Sequence, residues 1–218
     1  MNHKILLFAC ALLLPAAARA QYRYAYPEDM EPAEAVVEKP HVPRLFRYYY
    51  AAGRGSSSPT GGGWAGKTGF KSSPSLVVAV GKKVDAVLSY GLETSYDSGH
   101  KSRALSGMSV RVFSFAPFLR AASVRGGSAY YAIAGAGVYH WSQSAFGAAG
   151  ARRASDSGSS LGLSLGGGAI YPFGGALKFG LDLRWRHVFS VSGVNFDADL
   201  INNITPSIML YYGFLDIP

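Results

Sequence analysis

The stretch that decides the fold is ALKFGLDLRWRH, residues 176–187. Large apolar side chains take every second position, at Leu177, Phe179, Leu181, Leu183 and Trp185. The positions between them hold polar or small residues, namely Lys178, Gly180, Asp182, Arg184 and Arg186. Because successive side chains of a β-strand point to opposite faces, this pattern predicts a strand with one apolar face and one charged face.

Segment 84–97 repeats this arrangement. Its apolar positions are Val84, Ala86, Leu88, Tyr90, Leu92 and Tyr96, and they lie opposite Asp85, Ser89, Gly91, Glu93 and Asp97. Related patterns occur at 44–53, 74–81, 105–120, 129–141, 160–171 and in a last segment with Ile208, Leu210, Tyr212 and Phe214. Segments of about ten residues with this period are expected of strands tilted across a bilayer. We therefore predict an all-β fold, an eight-stranded antiparallel up-and-down transmembrane β-barrel.

Segment 105–120 has the least regular pattern. Met108, Val110 and Val112 alternate with Ser109 and Arg111, which predicts that Arg111 faces inward. The order is lost further on, where Pro117 cannot donate a hydrogen bond to a neighbouring strand. A β-bulge or the membrane rim is expected there.

The connections between these segments alternate in length. Short turns are predicted near 81–84, 121–128 and 172–175, and longer polar links at 54–73, 97–104, 142–159 and 190–203. Transmembrane barrels have short periplasmic turns and longer external loops, so the first strand should run outward. Aromatic residues near the strand ends predict two interfacial girdles. They are Tyr171, Phe173, Tyr212 and Phe214 on the periplasmic side, and Tyr96, Trp141, Trp185 and Phe189 on the external side.

The N-terminal region predicts export. Lys4 precedes an apolar run, and Ala18-Arg19-Ala20 is a small-x-small cleavage pattern, so residues 1–20 are predicted to be a signal peptide. The single cysteine, Cys10, lies within it; a lipoprotein anchor at Cys10 is the alternative. Residues 21–43 are acidic and proline-rich and predict an extended periplasmic linker. The barrel then occupies residues 44–218.

The composition agrees with a membrane protein. Charged residues make up 16% of the chain, against about 25% in a typical soluble domain. No run of about 18 apolar residues follows the signal peptide, so membrane-spanning helices are not expected. The net charge of +8 would suit either nucleic acid or an anionic membrane surface. For an exported chain we expect the membrane and no nucleic acid.

These segments resemble the eight-stranded outer-membrane barrel domain of the OmpA-like kind, including small opacity-type surface proteins. The resemblance covers about residues 44–214 and rests on YAIAGAGVY at 131–139, LDLRWRH at 181–187 and the last alternating segment. In family members the last strand often ends on an aromatic residue, which is similar to the signal that the barrel insertion machinery reads. Phe214 matches it, but four residues follow, through Pro218. The resemblance implies a Gram-negative outer-membrane protein with a structural or surface-interaction role.

An eight-stranded barrel has an interior that side chains can fill, so inward charges must be paired or solvated. The strand patterns predict a polar network in the lumen formed by Arg47, Glu93, Arg111, Asp182, Arg184 and Arg186. Glu93 and Asp182 are expected to accept hydrogen bonds from the neighbouring arginines. A narrow passive pore for small solutes is the alternative.

Catalysis has little support in the sequence. Some barrels of this size deacylate lipid A with a His-x-Ser arrangement, but Phe189 lies two residues after His187, and Ser190 has the opposite parity. The other histidines lack metal-ligand spacing, so we predict neither an enzyme nor a metal or cofactor site. A soluble lipocalin-like binding barrel would need a charged exterior, which the composition does not supply.

The expected partners are therefore those of an envelope protein. They are outer-membrane lipid and lipopolysaccharide, the barrel insertion machinery, and an extracellular ligand that the sequence does not identify. Basic residues of the predicted external loops could meet lipopolysaccharide phosphates, or they could simply be solvated. They are Lys67, Lys71, Lys101, Arg103, Arg152 and Arg153.

Overall fold

The structure is a computed structural model, and it describes residues 48–85, 87–125, 127–148, 151–174, 176–192 and 197–213. The strands of this part of the chain are β1 (Tyr48–Pro59), β2 (Ser73–Lys83), β3 (Leu88–Lys101), β4 (Ser109–Arg125), β5 (Ser128–Gln143), β6 (Phe146–Ala148), β7 (Ala151–Arg153), β8 (Asp156–Gly174), β9 (Leu177–Ser192) and β10 (Asp197–Tyr212). A short helix, α1 (Gly62–Ala65), follows β1.

Eight of these strands close into one antiparallel barrel, in the order β1-β10-β9-β8-β5-β4-β3-β2. The remaining two, β6 and β7, pair with each other between β5 and β8. The predicted fold class, an eight-stranded antiparallel barrel, is confirmed. We call the end with β1's first residue and the short connections the turn end, and the opposite end the loop end. Among the described residues, no helix has the length and apolarity needed to cross a membrane.

The register of the pairs fixes the tilt of the strands. A path across hydrogen-bonded partners leaves Tyr48 and returns to β1 at Ser58, ten residues further along. The path runs through Lys82, Tyr90, Leu119, Ala134, Leu165, Trp185 and Ile204. A barrel with such a stagger has strongly tilted strands, typically by about 35–45°. With eight strands, its interior is only wide enough for side chains.

Side chains alternate between the two faces along the barrel strands. On β9, Leu181 is 50% exposed whereas Asp182 is 5% exposed. Large apolar residues face outward around the whole circumference, at Leu76, Leu92, Leu119, Tyr130, Leu165, Leu183 and Ile208 among others. An exterior this apolar does not fit a lipocalin-like barrel, whose water-facing surface would carry many charged residues.

Strand boundaries differ from the predictions mainly at the loop end. Residues 54–59 continue β1, and the predicted long link at 190–203 is mostly strand, with only 193–196 between β9 and β10. At the turn end, Val84 and Asp85 belong to a turn rather than to β3, because Asp85 Oδ1 accepts hydrogen bonds from the backbone N–H groups of Val87 and Leu88, each at 2.7 Å. Where a strand extends beyond the apolar zone of the barrel, its residues no longer alternate between apolar and polar. The end of such a strand therefore cannot be recognised from the sequence.

The predicted orientation of β4 is wrong. Val110 and Val112 are buried in the interior, and Arg111 is exposed on the outward face. The reason is that the interior is itself apolar at the loop end, so both faces of β4 carry apolar side chains there. Trp141, predicted in the external girdle, faces the same interior and is buried.

The predicted irregularity at Pro117 is also corrected. The register between β3 and β4 shifts between Asp97 and His100, so the bulge lies in β3. At Pro117 the register with β5 is unchanged, but the pairing is interrupted between Phe115 and Phe118, because proline has no N–H to donate. The signal peptide 1–20, the linker 21–43, Arg47 and Phe214 lie outside the described residues and stay predictions.

Candidate functional site

A layer of charged side chains lies inside the barrel. Arg184 of β9 donates from Nε to Asp182 Oδ1 at 2.8 Å and from Nη2 to Glu93 Oε2 at 2.9 Å. All three side chains are nearly fully buried. A guanidinium that bridges two buried carboxylates satisfies charges that would otherwise be costly away from water.

Arg186 extends this layer toward the loop end. Its Nη1 donates to Thr205 Oγ1 at 3.3 Å, and its guanidinium lies 3.9 Å from Glu93 Oε1 and 3.8 Å from Asp97 Oδ1. Asp97 also accepts a hydrogen bond from Asn203 Nδ2 at 3.4 Å. The charged layer therefore joins β3, β9 and β10 across the lumen.

Local sequence explains how these large side chains fit. The two-residue period of β9 places Asp182, Arg184 and Arg186 on the inward face together. On the neighbouring strand β8, the facing position is Gly166, where a Cβ would lie 2.7 Å from Arg184 Cδ. A Cβ here would also overlap the Leu183 carbonyl oxygen, so glycine allows the close approach of both the β9 backbone and the arginine stem.

The turn end of the lumen is filled by an aromatic cluster around Arg120. The Arg120 guanidinium carbon lies between 4.4 and 5.4 Å from four ring centroids, those of Tyr131, Tyr49, Tyr211 and Phe118. Such distances are within the range of cation–π attraction. The Tyr131 hydroxyl donates to Asp182 and lies 2.9 Å from the Tyr211 hydroxyl. The aromatic cluster is therefore hydrogen-bonded to the charged layer.

The loop end is closed by the segment that follows β1. Trp64 of α1 is 1% exposed, its ring centroid lies 4.4 Å from that of Phe70, and its Nε1 donates to Asn203 Oδ1 at 2.7 Å. These rings pack on a buried apolar cluster that includes Met108, Val110, Val112, Tyr139, Trp141, Phe146, Val188, Val191 and Ile201. Apolar side chains thus fill the lumen above the charged layer.

His100 connects the closing segment to the charged layer. The β3 bulge turns His100 inward, where it is fully buried. Its Nδ1 lies 3.0 Å from the carbonyl oxygen of Lys71, and its Nε2 lies 3.4 Å from Asp97 Oδ2. The segment before β2 is therefore tied to the same carboxylate that faces Arg186.

The structure brings together four of the six residues predicted for the lumen: Glu93, Asp182, Arg184 and Arg186. Arg111 is not among them, because it faces outward, and Arg47 lies outside the described residues. Sequence reasoning missed Arg120 and gave no role to Asp97. A signal for Arg120 was present in the sequence. Phe113, Phe115 and Leu119 share one face of the strand, and if that apolar face points outward, residue 120 points into the lumen.

His187 has an outward position between two aromatic residues. Its ring centroid lies 5.5 Å from that of Trp185 and 4.6 Å from that of Phe189. Its Nδ1 lies 2.6 Å from Asn202 Oδ1, a contact in which the imidazole donates. The imidazole is thus engaged by a side-chain amide and two rings at the outer surface.

Solved outer-membrane proteins align with this chain over about three quarters of its length. Neisserial surface protein A superposes with a TM-score of 0.57 at 12% identity, covering 77% of this chain and 97% of that protein. A major outer membrane protein from Thermus thermophilus aligns with a TM-score of 0.47 at 13% identity, over 76% of this chain and 99% of that one. Ail, the attachment invasion locus protein of Yersinia pestis, aligns at 0.44 and 13%, over 75% and 96%.

The first of these similarities confirms the predicted fold, an eight-stranded antiparallel β-barrel. No protein-family model matches the sequence, and no curated protein is detectably similar to it.

Proposed function

We propose that this chain is an integral bacterial outer-membrane barrel with a closed lumen, which serves a structural or surface-interaction role through its loop end and carries no chemistry of its own. The observation that carries the proposal is the inversion of polarity. Apolar side chains cover the outside of the barrel, while Glu93, Asp182 and Arg184 are paired inside it. A bilayer is the solvent that such an exterior requires.

Exposed tyrosines support the membrane placement. At the turn end, each of five barrel strands carries an outward tyrosine within a few residues of its end: Tyr48, Tyr90, Tyr130, Tyr171 and Tyr212. Tyrosine is enriched where a barrel crosses the membrane–water interface. Because the short connections lie at this end, we assign it to the periplasm and the loop end to the exterior.

The filled lumen favours a structural role over a pore. Trp64 and Phe70 close the loop end, the charged layer crosses the middle, and Arg120 with its aromatic neighbours fills the turn end. A solute would have to displace groups from each layer in turn. The surface available to a partner is therefore the loop end, where external loops usually carry specificity.

The test is fractionation of cells that express the full-length chain, followed by gel comparison of boiled and unboiled outer-membrane samples. We expect the protein in the outer membrane with a heat-modifiable band, and no steady conductance when it is reconstituted in planar bilayers. A soluble periplasmic protein without a mobility shift would contradict the membrane placement. A heat-modifiable barrel with steady conductance would instead support the narrow pore.

A further inference from the structure

Four basic side chains gather on one side of the barrel at the loop end. The backbone N–H of Lys71 donates to the carbonyl of Lys101 at 2.9 Å, and Arg103 Nε donates to the carbonyl of Phe70 at 3.3 Å. Lys101 pairs with Ser109 of β4, and Ser109 lies two residues before Arg111 on the same outward face of that strand. All four are exposed, and we call Lys71, Lys101, Arg103 and Arg111 the cationic patch.

An apolar row lies on the same strands, closer to the middle of the barrel. Leu76 of β2 pairs with Tyr96 of β3, and Tyr96 pairs with Phe113 of β4. All three side chains face outward and are substantially exposed. We call them the apolar row. Phe113 is two residues from Arg111 on one face of β4, so the apolar row and the cationic patch form one continuous amphiphilic surface.

The cationic patch has no carboxylate beside it among the side chains that the structure describes. Glu93, Asp97 and Asp182 are buried in the lumen, and Asp85 lies at the turn end. Asp156 has the inward parity of its buried pairing partner Gln143. The positive charge on this outward surface is therefore left for an external anion.

The cationic patch does not continue onto the barrel strands opposite it, although Arg153 of β7 is exposed in the connection before β8. Across the barrel, the outward residues of β8 and β9 toward the loop end include Leu161, His187 and Phe189, without a lysine or arginine at the described outward positions of these two strands in that region. A general attraction to an anionic surface would not need such an arrangement. A single ligand with an anionic head and an apolar tail would fit it.

We propose that the cationic patch and the apolar row bind a phosphorylated glycolipid of the outer leaflet, lipopolysaccharide. The inference rests on the proposed function, because it requires the loop end to face the exterior. Arginine guanidinium groups bind phosphate oxygens with paired hydrogen bonds, and lysines add point charges. The acyl chains of the same lipid would lie along Leu76, Tyr96 and Phe113, at the depth where aromatic side chains meet lipid.

The test uses the full-length chain isolated from outer membranes and compares three forms. They are the wild type, the double variant Lys101→Gln/Arg111→Gln, and the control Lys82→Gln/Arg125→Gln, which removes the same charge at the turn end. Binding of labelled lipopolysaccharide to each protein in nanodiscs is measured, with phosphatidylglycerol and inorganic phosphate as competitors. Each form is first checked for the heat-modifiable band.

We expect the Lys101→Gln/Arg111→Gln variant to bind lipopolysaccharide about 10- to 30-fold more weakly, since each basic residue near a lipid surface contributes roughly a three- to fivefold step. The control should stay within about twofold of the wild type on the same scale. Equal weakening by both variants, or equal competition by phosphatidylglycerol, would overturn the glycolipid site. If a folded, heat-modifiable barrel binds unchanged, this inference alone fails; if the wild type forms no such barrel, the proposed function fails with it.

Discussion

Glu93→Gln is the sharpest test of the charged layer. The substitution keeps the shape of the side chain but removes the charge that faces Arg184 at 2.9 Å and Arg186 at 3.9 Å. All three groups are buried, so the two guanidinium groups cannot exchange the lost partner for water. Breaking a buried ion pair by removing one member costs about 3–5 kcal/mol.

The expected value lies at the lower end of that range. Arg184 keeps its 2.8 Å hydrogen bond to Asp182, and Arg186 keeps Asp97 at 3.8 Å, so neither arginine is left without a carboxylate. The glutamine carbonyl can also still accept one hydrogen bond. We therefore expect Glu93→Gln to lower the free energy of unfolding by about 3 kcal/mol.

The assay is urea unfolding of the barrel from phospholipid vesicles, with Ser95→Ala as the matched control. Ser95 is the next inward residue of β3, and its hydroxyl is hydrogen-bonded to that of Ser114 at 2.6 Å. Loss of this neutral hydrogen bond should cost about 1 kcal/mol. If Glu93→Gln costs no more than Ser95→Ala, the charged layer does not hold the barrel together and the reasoning is refuted.

Two further predictions concern charges outside the lumen. Arg54 is exposed on the outward face of β1 between Ile208 and Leu76. Because Leu76 lies near the interface, where an outward arginine costs up to about 1 kcal/mol, Arg54→Leu should stabilise the barrel in vesicles by about that amount in urea unfolding. Unchanged stability would contradict a lipid-facing Arg54. The backbone N–H groups of Leu88 and Val87 hold the pKa of Asp85 below its ordinary value, so this carboxylate stabilises the turn above the ordinary pKa and loses that contribution as the pH falls through the lowered one. The stability difference between wild type and Asp85→Ala should therefore narrow below about pH 4, and a difference independent of pH would contradict this assignment.

Charge made parts of the interior predictable from sequence. In β3 and β9 apolar residues take most of the alternate positions, and the positions between them include Glu93, Asp182 and Arg184. Charged side chains on the lipid face are destabilising, so the side chains at these positions are expected to face the lumen. The same rule should have flagged Arg54, whose outward position in β1 departs from it. On β3 and β9 the inward charges thus reveal the orientation of the strand without any tertiary information.

The loop-end part of β4 could not be oriented in this way, because the polarity of the lumen that it faces is decided elsewhere in the chain. Val110 and Val112 lie inside the lumen in one apolar cluster with Trp64 and Phe70, which come from the connection after β1. That connection is rich in glycine and serine and has no periodicity, so nothing local predicts that it enters the barrel. Its position is fixed by distant contacts, such as Trp64 to Asn203.

The consequence is that the chain's inward face changes character along the barrel axis, from aromatic to charged to apolar. A two-letter pattern of apolar and polar residues assumes one polarity for each face, and it fails wherever the interior becomes as apolar as the exterior. Arg111 and Arg120 illustrate that failure, because they point to opposite faces of β4. If β4 is oriented wrongly by one residue, Arg111 is assigned to the lumen and Arg120 to the surface, the reverse of what is found. The observed orientation takes Arg111 out of the predicted lumen network and adds it to the outward surface. Arg111 therefore belongs to the proposed glycolipid site, and Arg120 belongs to the closed interior.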